Sequence, residues 1–272
     1  MKGVTISSLC RNAGFSRQAY YQDRRQRQRQ WRDDERILQA VRHQRRDQPR
    51  VGTRKLQEML NCTGVSVGRD YLFELLAENG LLVVPKKNKV RTTYFDEALP
   101  VYRNLLYERE PTLPHQVWVA DMTYIDTDEG YLYLSLITDR VSRKIVGWNA
   151  ADNAAATESI KALRMAIGEL PEGRWPIHHS DRGSQYCCHE YVAVLLERGL
   201  SISMTEQNHC YENAHAERVN GILKNEFHLD HKFRTRAQAR TAITQAITTY
   251  NTRRLHSALQ LRTPHHVHAL AA

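Results

Sequence analysis

The sequence contains no long apolar run. No stretch approaches the roughly 18 consecutive apolar residues that predict a membrane-spanning helix. The N-terminal M-K-G-V-T-I-S-S-L-C is too polar for a secretory signal peptide. Cysteine is scarce as well, and an odd set of five scattered over 272 residues predicts reduced thiols rather than a disulfide framework. These absences favour a cytoplasmic protein with no membrane partner.

Two familiar kinds of motif are also missing. The chain has no G-x-S-x-G elbow, so Ser180 and Ser184 near His179 do not predict a serine hydrolase. The His and Cys residues at 178–179, 187–189 and 209–210 fit no usual zinc-finger spacing. Structural zinc is therefore the weaker interpretation of those residues.

Acidic residues are absent after Asp230, where seven basic residues follow. Residues 1–95 carry 20 basic and 9 acidic groups, a net charge of +11, whereas residues 96–230 carry 12 and 21, a net charge of −9. Basic ends suit a polyanion such as DNA. The acidic middle would repel DNA unless metal ions neutralised it. The alternative is a soluble protein with solvated charged faces.

Helices are predicted at the N-terminus. Apolar Ile6 and Leu9 before Gly14 indicate one short helix, and Ser16 is expected to cap a second that ends near Tyr21. An exposed helix rich in Arg and Gln should follow. A helix, a glycine turn and a helix are compatible with a DNA-binding helix-turn-helix, and equally with a plain pair of packed helices.

A second helical pair is predicted from residue 53. Its second helix is expected to be capped by Ser66, to bury a leucine stripe and to end at Asn79-Gly80. Arg69 would lie near the start of that helix, where recognition helices usually touch bases. A helical hairpin without DNA contacts is the alternative.

From residue 116 onward, the spacing of the apolar residues is typical of β-strands and buried helices. Strands are predicted at 117–125, 131–138, 144–148, 175–179 and 201–204, with helices at 155–167, 190–198 and 213–226. The order β-β-β-α-β-α-β-α is that of a mixed α/β (α+β) sheet of the ribonuclease-H-like kind.

The chain is thus predicted to have five segments. They are a helix-turn-helix with a basic helix (1–50), a second helix-turn-helix-like region (51–84), a linker arm (85–114), a ribonuclease-H-like core (115–230) and a basic helical segment (231–272).

Three acidic residues lie in distinctive runs: Asp121 in V-W-V-A-D-M-T-Y, Asp181 in H-H-S-D-R-G-S-Q-Y and Glu217 in E-N-A-H-A-E-R-V-N-G-I-L-K-N-E, the last two separated by 35 residues. They should lie in the first strand, at the end of the fourth strand and in the first turns of the last helix. Three carboxylates brought together can hold two divalent metals and cut or join phosphodiesters. A lone acid is more often an ion pair or a cap, but an Asp inside an apolar strand is costly to bury without a partner.

These runs, with the closing Y-N-T-R-R-L-H-S-A-L-Q-L-R-T-P, resemble the integrase core of bacterial insertion-sequence transposases. The resemblance covers about residues 5–265 and is to the group whose second reading frame, OrfB, encodes the catalytic protein. It implies that Asp121, Asp181 and Glu217 are the metal-binding D,D-35-E triad, that Mg²⁺ is the cofactor with Mn²⁺ as a substitute, and that Lys224 contacts DNA near the element end.

The resemblance also implies the partners. They are the terminal inverted repeats and target DNA, further copies of the chain, and the upstream-frame protein OrfA as partner or fusion, in the bacterial cytoplasm at the nucleoid. Further predicted DNA contacts are Arg17, Arg69, Asn220, Arg253 and Arg254, the last two alternatively belonging to a solvated basic tail.

The chain departs from the family pattern in two ways. The family's G-N-C-[YW]-D-N-A is replaced by N-H-C-Y-E-N-A at 208–214, and no leucine-zipper heptad is present. Residues 1–95 offer only His43, Cys10 and Cys62, so the zinc module of retroviral-type integrases is absent. The leading hypothesis is a transposase that frees a 3′-hydroxyl and joins it to another strand. The alternatives are a non-catalytic protein that binds element ends and a nuclease that hydrolyses without joining.

Overall fold

The computed structural model describes residues 5–84, 101–107, 110–206 and 213–270. It forms two compact units, one of residues 1–46 and 51–83 and one of residues 47–50 and 84–272. Most of the predicted linker arm, the G-N-C-like loop at 207–212 and the His209-Cys210 pair lie outside the described residues. Among the helices of the described part, none is long and apolar enough to cross a membrane.

The first unit is helical. Its elements are α1 (Ile6–Asn12), α2 (Arg17–Asp47), α3 (Thr53–Cys62) and α4 (Arg69–Glu78). Ser16 accepts a hydrogen bond from the backbone N–H of Ala19 (3.0 Å), so the predicted cap is confirmed. The predicted end of this helix near Tyr21 is wrong, because α2 continues for 31 residues. No glycine or proline interrupts it before Pro49, and Arg and Gln are good helix formers.

The core of this unit is a leucine-rich cluster. It joins Ile37, Leu38 and Val41 of α2 to Leu56 and Leu60 of α3 and to Leu72, Leu75 and Leu76 of α4. The predicted cap at Ser66 is wrong, because α4 begins after Gly68, and Val67 is buried in the cluster from an extended segment. The predicted stop at Asn79-Gly80 is confirmed, with Gly80 at φ +64°.

The second unit contains a five-stranded mixed sheet in the order β3-β2-β1-β4-β5. The strands are β1 (Val117–Ile125), β2 (Leu132–Asp139), β3 (Ile145–Ala151), β4 (Ile177–Ser180) and β5 (Ser201–Met204). β1 pairs antiparallel with β2 and parallel with β4. The predicted strands and mixed α/β class are confirmed, with boundary differences of up to three residues.

Helices cover both faces of the sheet. They are α5 (Ala156–Gly168), α6 (Ser184–Cys187) and α7 (His189–Glu197) on one side, and α8 (Ala214–Glu226) and α9 (Arg236–Thr252) on the other, followed by a 3₁₀ turn (Ser257–Leu259) and α10 (Pro264–Ala269). Because side chains alternate along a strand, Trp118 packs on the α5 side and Val119 on the α8 side. α9 buries Ile243, Ile247 and Tyr250 against the sheet, so this segment is part of the core rather than a solvated tail.

Candidate active site

The pairing of β1 with β4 aligns two of the three acids. These parallel strands match Val117 with Ile177 and Val119 with His179. Continuing that register by two residues, one residue past the end of β4 at Ser180, brings Asp181 level with Asp121; neighbouring strands are about 4.8 Å apart. Asp121 also shares the strand face of Val119, which packs against Ala216 of α8. The Asp121 carboxylate therefore lies on the side of the sheet that α8 covers, and Asp181 follows the neighbouring strand.

The carboxylate of Asp121 is buried and held at both oxygens. Its Oδ1 accepts a hydrogen bond from the Met122 backbone N–H (2.8 Å), and its Oδ2 accepts one from Asn220 Nδ2 (2.7 Å). Asp181 is half-buried, and its Oδ1 accepts from the Gly183 N–H (3.0 Å). These donors compensate for the loss of hydration that would otherwise penalise a buried anion.

Two asparagines dock α8 on β1 on either side of Glu217. Asn213 donates from Nδ2 to the Ala120 carbonyl (3.1 Å), and Asn220 donates to Asp121. Positions i−4 and i+3 share a helix face with position i, so Glu217 lies on the face that these amides turn toward β1. Glu217 itself is exposed. The third acid therefore borders the Asp121 strand and stays accessible to solvent.

Lys224 continues the same helix face. Its Nζ lies 4.6 Å from the centroid of the Tyr124 ring, near the end of β1. Lys224 is half-buried and Tyr124 is exposed. A cation stacked on an aromatic ring is held in position without losing its charge. The structure thus places Lys224 about two helical turns beyond Glu217, on the acidic site's own side of α8.

Tyr186 lies in the core behind the site, in the cluster on the α5 side of the sheet. Burial raises the pKa of its phenol well above the ordinary value, and Tyr191, Asp121 and Asp181 add to the effect. The two carboxylates therefore act electrostatically on the same buried group, a link that the sequence analysis missed. The available signal was its position at the end of H-S-D-R-G-S-Q-Y, five residues after Asp181.

The site suits a hard divalent cation by its donor chemistry, since carboxylate oxygens are the ligands that Mg²⁺ and Mn²⁺ prefer. The two aligned aspartates and the neighbouring exposed glutamate supply such oxygens. Within the described ranges, no three His, Cys, Asp or Glu side chains converge closely enough to hold one ion as the side chains stand.

Two of the histidines considered for zinc, His178 and His179, are engaged in the core instead, whereas His189 is exposed. His178 Nε2 shares a hydrogen bond with the Tyr191 hydroxyl (2.9 Å), and His179 Nδ1 shares one with Ser203 Oγ (2.8 Å). Burial lowers the pKa of His178 to about 3, so its ring is neutral at physiological pH. Cys187 and Cys188 are free thiols, as predicted.

Comparison with known proteins identifies the family to which this chain belongs. Integrase core domain family models match residues 111–210 and 198–264. The insertion element IS600 uncharacterized 31 kDa protein of Shigella sonnei is 38% identical over 92% of this chain and 94% of its own length. The transposase for insertion sequence element IS904 of Lactococcus lactis is 33% identical over 84% of this chain and 90% of its own.

The chain belongs to the integrase-core transposases of insertion sequences. Transposase InsF for insertion sequence IS3A of Escherichia coli is a further relative, 33% identical over 78% of this transposase and 74% of its own length. The simian T-cell lymphotropic virus intasome in complex with a PP2A regulatory subunit aligns with a TM-score of 0.50 and 18% identity, covering 80% of this chain and 70% of that one. The ribonuclease-H-like fold is thereby confirmed.

This transposase is accordingly an enzyme of DNA transposition, from a family that binds DNA and depends on divalent metal ions. The structure separates its predicted DNA contacts into two groups. Arg17 begins α2 and is exposed, and Arg69 begins α4, exposed and paired with Asp70 (2.8 Å). Arg253 is also exposed and pairs with Asp47.

The other two predicted contacts are buried. Arg254 has a side chain that is 3% exposed, and its Nε and Nη2 donate to the two Glu226 carboxylate oxygens (2.8 and 2.7 Å). Asn220 is 5% exposed and is bonded to Asp121. The DNA-contact interpretation does not fit either side chain. Arg254 holds α8 to the segment after α9, and Asn220 orients a carboxylate.

Proposed function

We propose that Asp121, Asp181 and Glu217 are the catalytic carboxylates of this transposase and hold Mg²⁺, for which Mn²⁺ can substitute. The observation that carries the proposal is the juxtaposition on one side of the sheet. The β1–β4 register, continued past Val119 and His179, supports a position of Asp181 beside Asp121, and the Asn213 and Asn220 hydrogen bonds on either side of Glu217 support its position near the same strand.

When bound, a metal pair lowers the pKa of an attacking water or hydroxyl and stabilises the leaving oxygen. The chain's own residues set the geometry. Asn220 and the Met122 N–H fix the Asp121 carboxylate, and the Gly183 N–H fixes that of Asp181. Lys224, steadied over Tyr124, supplies a positive charge to a DNA phosphate beside the site.

The reaction proposed at this site has two phosphoryl transfers. Water first cleaves the element end to free a 3′-hydroxyl, and that hydroxyl then attacks the target strand. The substrates are the terminal inverted repeats and target DNA, which Arg17, Arg69 and Arg253 help to hold. Because two element ends must be joined together, we infer an assembly of at least two copies, with OrfA as an additional partner or fused segment, in the cytoplasm at the nucleoid.

Replacing Glu217 with Gln tests the assignment. The amide is nearly the same size but carries no charge, so strand transfer from a pre-cleaved element end should be abolished while affinity for that end is retained. Glu197→Gln on α7 is the control, since it removes an exposed carboxylate from a helix on the opposite face of the sheet. Retained joining by the Glu217 variant would refute the catalytic assignment. Hydrolysis without joining by the unaltered chain would instead support the nuclease alternative.

A further inference from the structure

The first half of α2 buries no side chain in its own unit, and the hydrogen bond from Gln30 to the Tyr71 hydroxyl of α4 (3.4 Å) lies at the surface. Every residue from 17 to 33 is exposed, and burial along this helix begins only at Ile37. At 1.5 Å per residue this exposed stretch is about 25 Å long. Burial within its own unit therefore does not explain this long, polar and uninterrupted stretch of helix.

Its charge is strongly one-sided. Residues 17–33 include six arginines (17, 24, 25, 27, 29 and 32) and two aspartates (23 and 33), a net charge of 6 − 2 = +4. At about 100° per residue, all six arginines fall within an arc of about 200°. The centre of this arc lies opposite Ile37 and Val41, which face the core. Asp23 and Asp33 project outside the arc, and Asp23 pairs with Arg27 at the edge of the arc (2.9 Å).

Three aromatic residues share the arginine arc. Tyr20, Tyr21 and Trp31 are 39%, 37% and 67% exposed. Trp31 lies four and seven residues after Arg27 and Arg24, so these three side chains are neighbours on the helix surface. We call these nine residues (the six arginines and three aromatics) the α2 basic face.

We propose that the α2 basic face is a docking surface for the phosphate backbone of duplex DNA. The proposal rests on the family's action on DNA and not on the assignment of the carboxylate triad. Duplex DNA carries about one negative charge per 1.7 Å, so a helix of this length and charge can track several phosphates. A lipid surface is a poorer match, since a membrane-binding helix presents a wide apolar face and this one presents mostly arginine.

The test is the salt dependence of DNA binding by the full chain. Arg24, Arg25, Arg27 and Arg29 are replaced together by Gln, which favours helix and already alternates with Arg in this run. Affinity for a duplex is measured by fluorescence anisotropy over a range of salt concentrations without divalent metal. Each lost phosphate contact lowers the slope of log K against log salt by about 0.9, so the slope should flatten by up to about 3.6.

A matched control removes the same charge from the other unit. Arg164, Arg174, Arg198 and Arg262 are exposed there, and their joint replacement by Gln should leave the slope within about one contact of the unaltered chain. A further variant with Lys at positions 24, 25, 27 and 29 should keep the slope, which shows that charge and not folding is responsible. An unchanged slope in the Gln variant with unchanged helix content overturns the proposal, as does an equal flattening in the control.

The test of the α2 basic face can fail or succeed independently of the test of the catalytic carboxylates. The α2 variant should still join a pre-cleaved end when low salt restores binding, whereas Glu217→Gln should bind with the unaltered salt slope and fail to join. Loss of DNA affinity by the α2 variant alone therefore supports this surface whatever becomes of the triad. If the α2 basic face instead binds an acidic protein, the Gln variant should show the same salt slope for DNA binding as the unaltered chain, and that result would overturn the proposal.

Discussion

Replacing Asn220 with Ala should separate the positioning of Asp121 from the stability of the fold. The amide donates to Asp121 Oδ2 at 2.7 Å, and both residues are more than nine-tenths buried. Without this donor, Oδ2 of the buried Asp121 carboxylate loses the hydrogen bond that fixes its direction, while the Met122 N–H still binds Oδ1. The substitution leaves all three proposed catalytic acids in place.

The expected magnitude follows from the kind of bond that is lost. A hydrogen bond to a charged group contributes about 1.5–3 kcal/mol. If this energy serves to orient Asp121 in the transition state, the strand-transfer rate should fall about 10- to 100-fold, at about 1.4 kcal/mol per factor of ten. Unfolding stability should fall by less, because Ala also removes Asn220 Oδ1, a buried oxygen with no hydrogen-bond partner among the described residues.

The assay is single-turnover strand transfer over a range of Mg²⁺ concentrations, with thermal unfolding alongside. The Asn220 variant should need more Mg²⁺ for half its maximal rate. Asn213→Ala breaks a bond to the neutral Ala120 carbonyl and should change the rate less, while Asn225→Ala, an exposed amide on α8, should change neither property. Equal rates for the Asn220 variant and the unaltered chain, or equal losses for Asn220 and Asn213, would refute the orienting role.

Three further outcomes are expected. Arg254→Met should lower the free energy of unfolding by about 1.5–3 kcal/mol, because the half-buried Glu226 carboxylate loses its two hydrogen bonds from Arg254, while DNA affinity at fixed salt stays unchanged; a large loss of affinity in a still-folded variant would restore the DNA-contact interpretation. Gly147→Ala should cost about 1–3 kcal/mol in a thermal melt, since an added methyl would overlap the Ala162 carbonyl of α5, and an unchanged melting temperature would contradict that contact. The pKa of His178 is lowered from 6.5 to about 3, so this residue is neutral in the folded state and gains a proton on unfolding below about pH 6.5. The free energy of unfolding should therefore fall by about 1.4 kcal/mol for each unit that the pH drops from 6.5 toward 3. Chemical denaturation should give a free energy of unfolding about 2 kcal/mol lower at pH 5 than at pH 7 from this residue, and equal values would contradict the prediction.

The strands and the acids were predictable because both depend on local sequence. A run rich in Val, Tyr and Ile identified β1, and the short run before Asp181 identified β4, so the positions of the two aspartates, within one strand and just after another, followed. The failures have a different origin. The local pattern predicts a helix end near Tyr21, but no residue there breaks a helix. It also predicts a cap at Ser66, but Val67 enters the core and α4 begins only after Gly68.

The roles of Asn220 and Arg254 could not be obtained from the sequence for a related reason. An asparagine on the catalytic helix face and an arginine in a basic segment have the same local appearance whether they meet DNA or protein. What decides between these roles is the approach of α8 to β1 and of the segment after α9 to Glu226, which depends on packing over the whole sheet. Helix periodicity gave the shared face of Asn213, Glu217 and Asn220, but it could not show that the two amides bond to the strand.

These assignments give the differently charged segments of the chain different roles in DNA binding and in catalysis. The segment with the net charge of −9 contains the proposed carboxylates, and an uncompensated site of this kind repels the DNA that it must cleave. Affinity must therefore come from elsewhere, and the arginines of α2 are outside the catalytic unit. Since phosphate contacts depend on salt and bound divalent ions neutralise the acids, raising the salt concentration should weaken DNA binding through α2 without altering the joining rate of DNA that is already bound. A joining rate that falls with salt even at saturating DNA would show that the arginines also act in the chemical step.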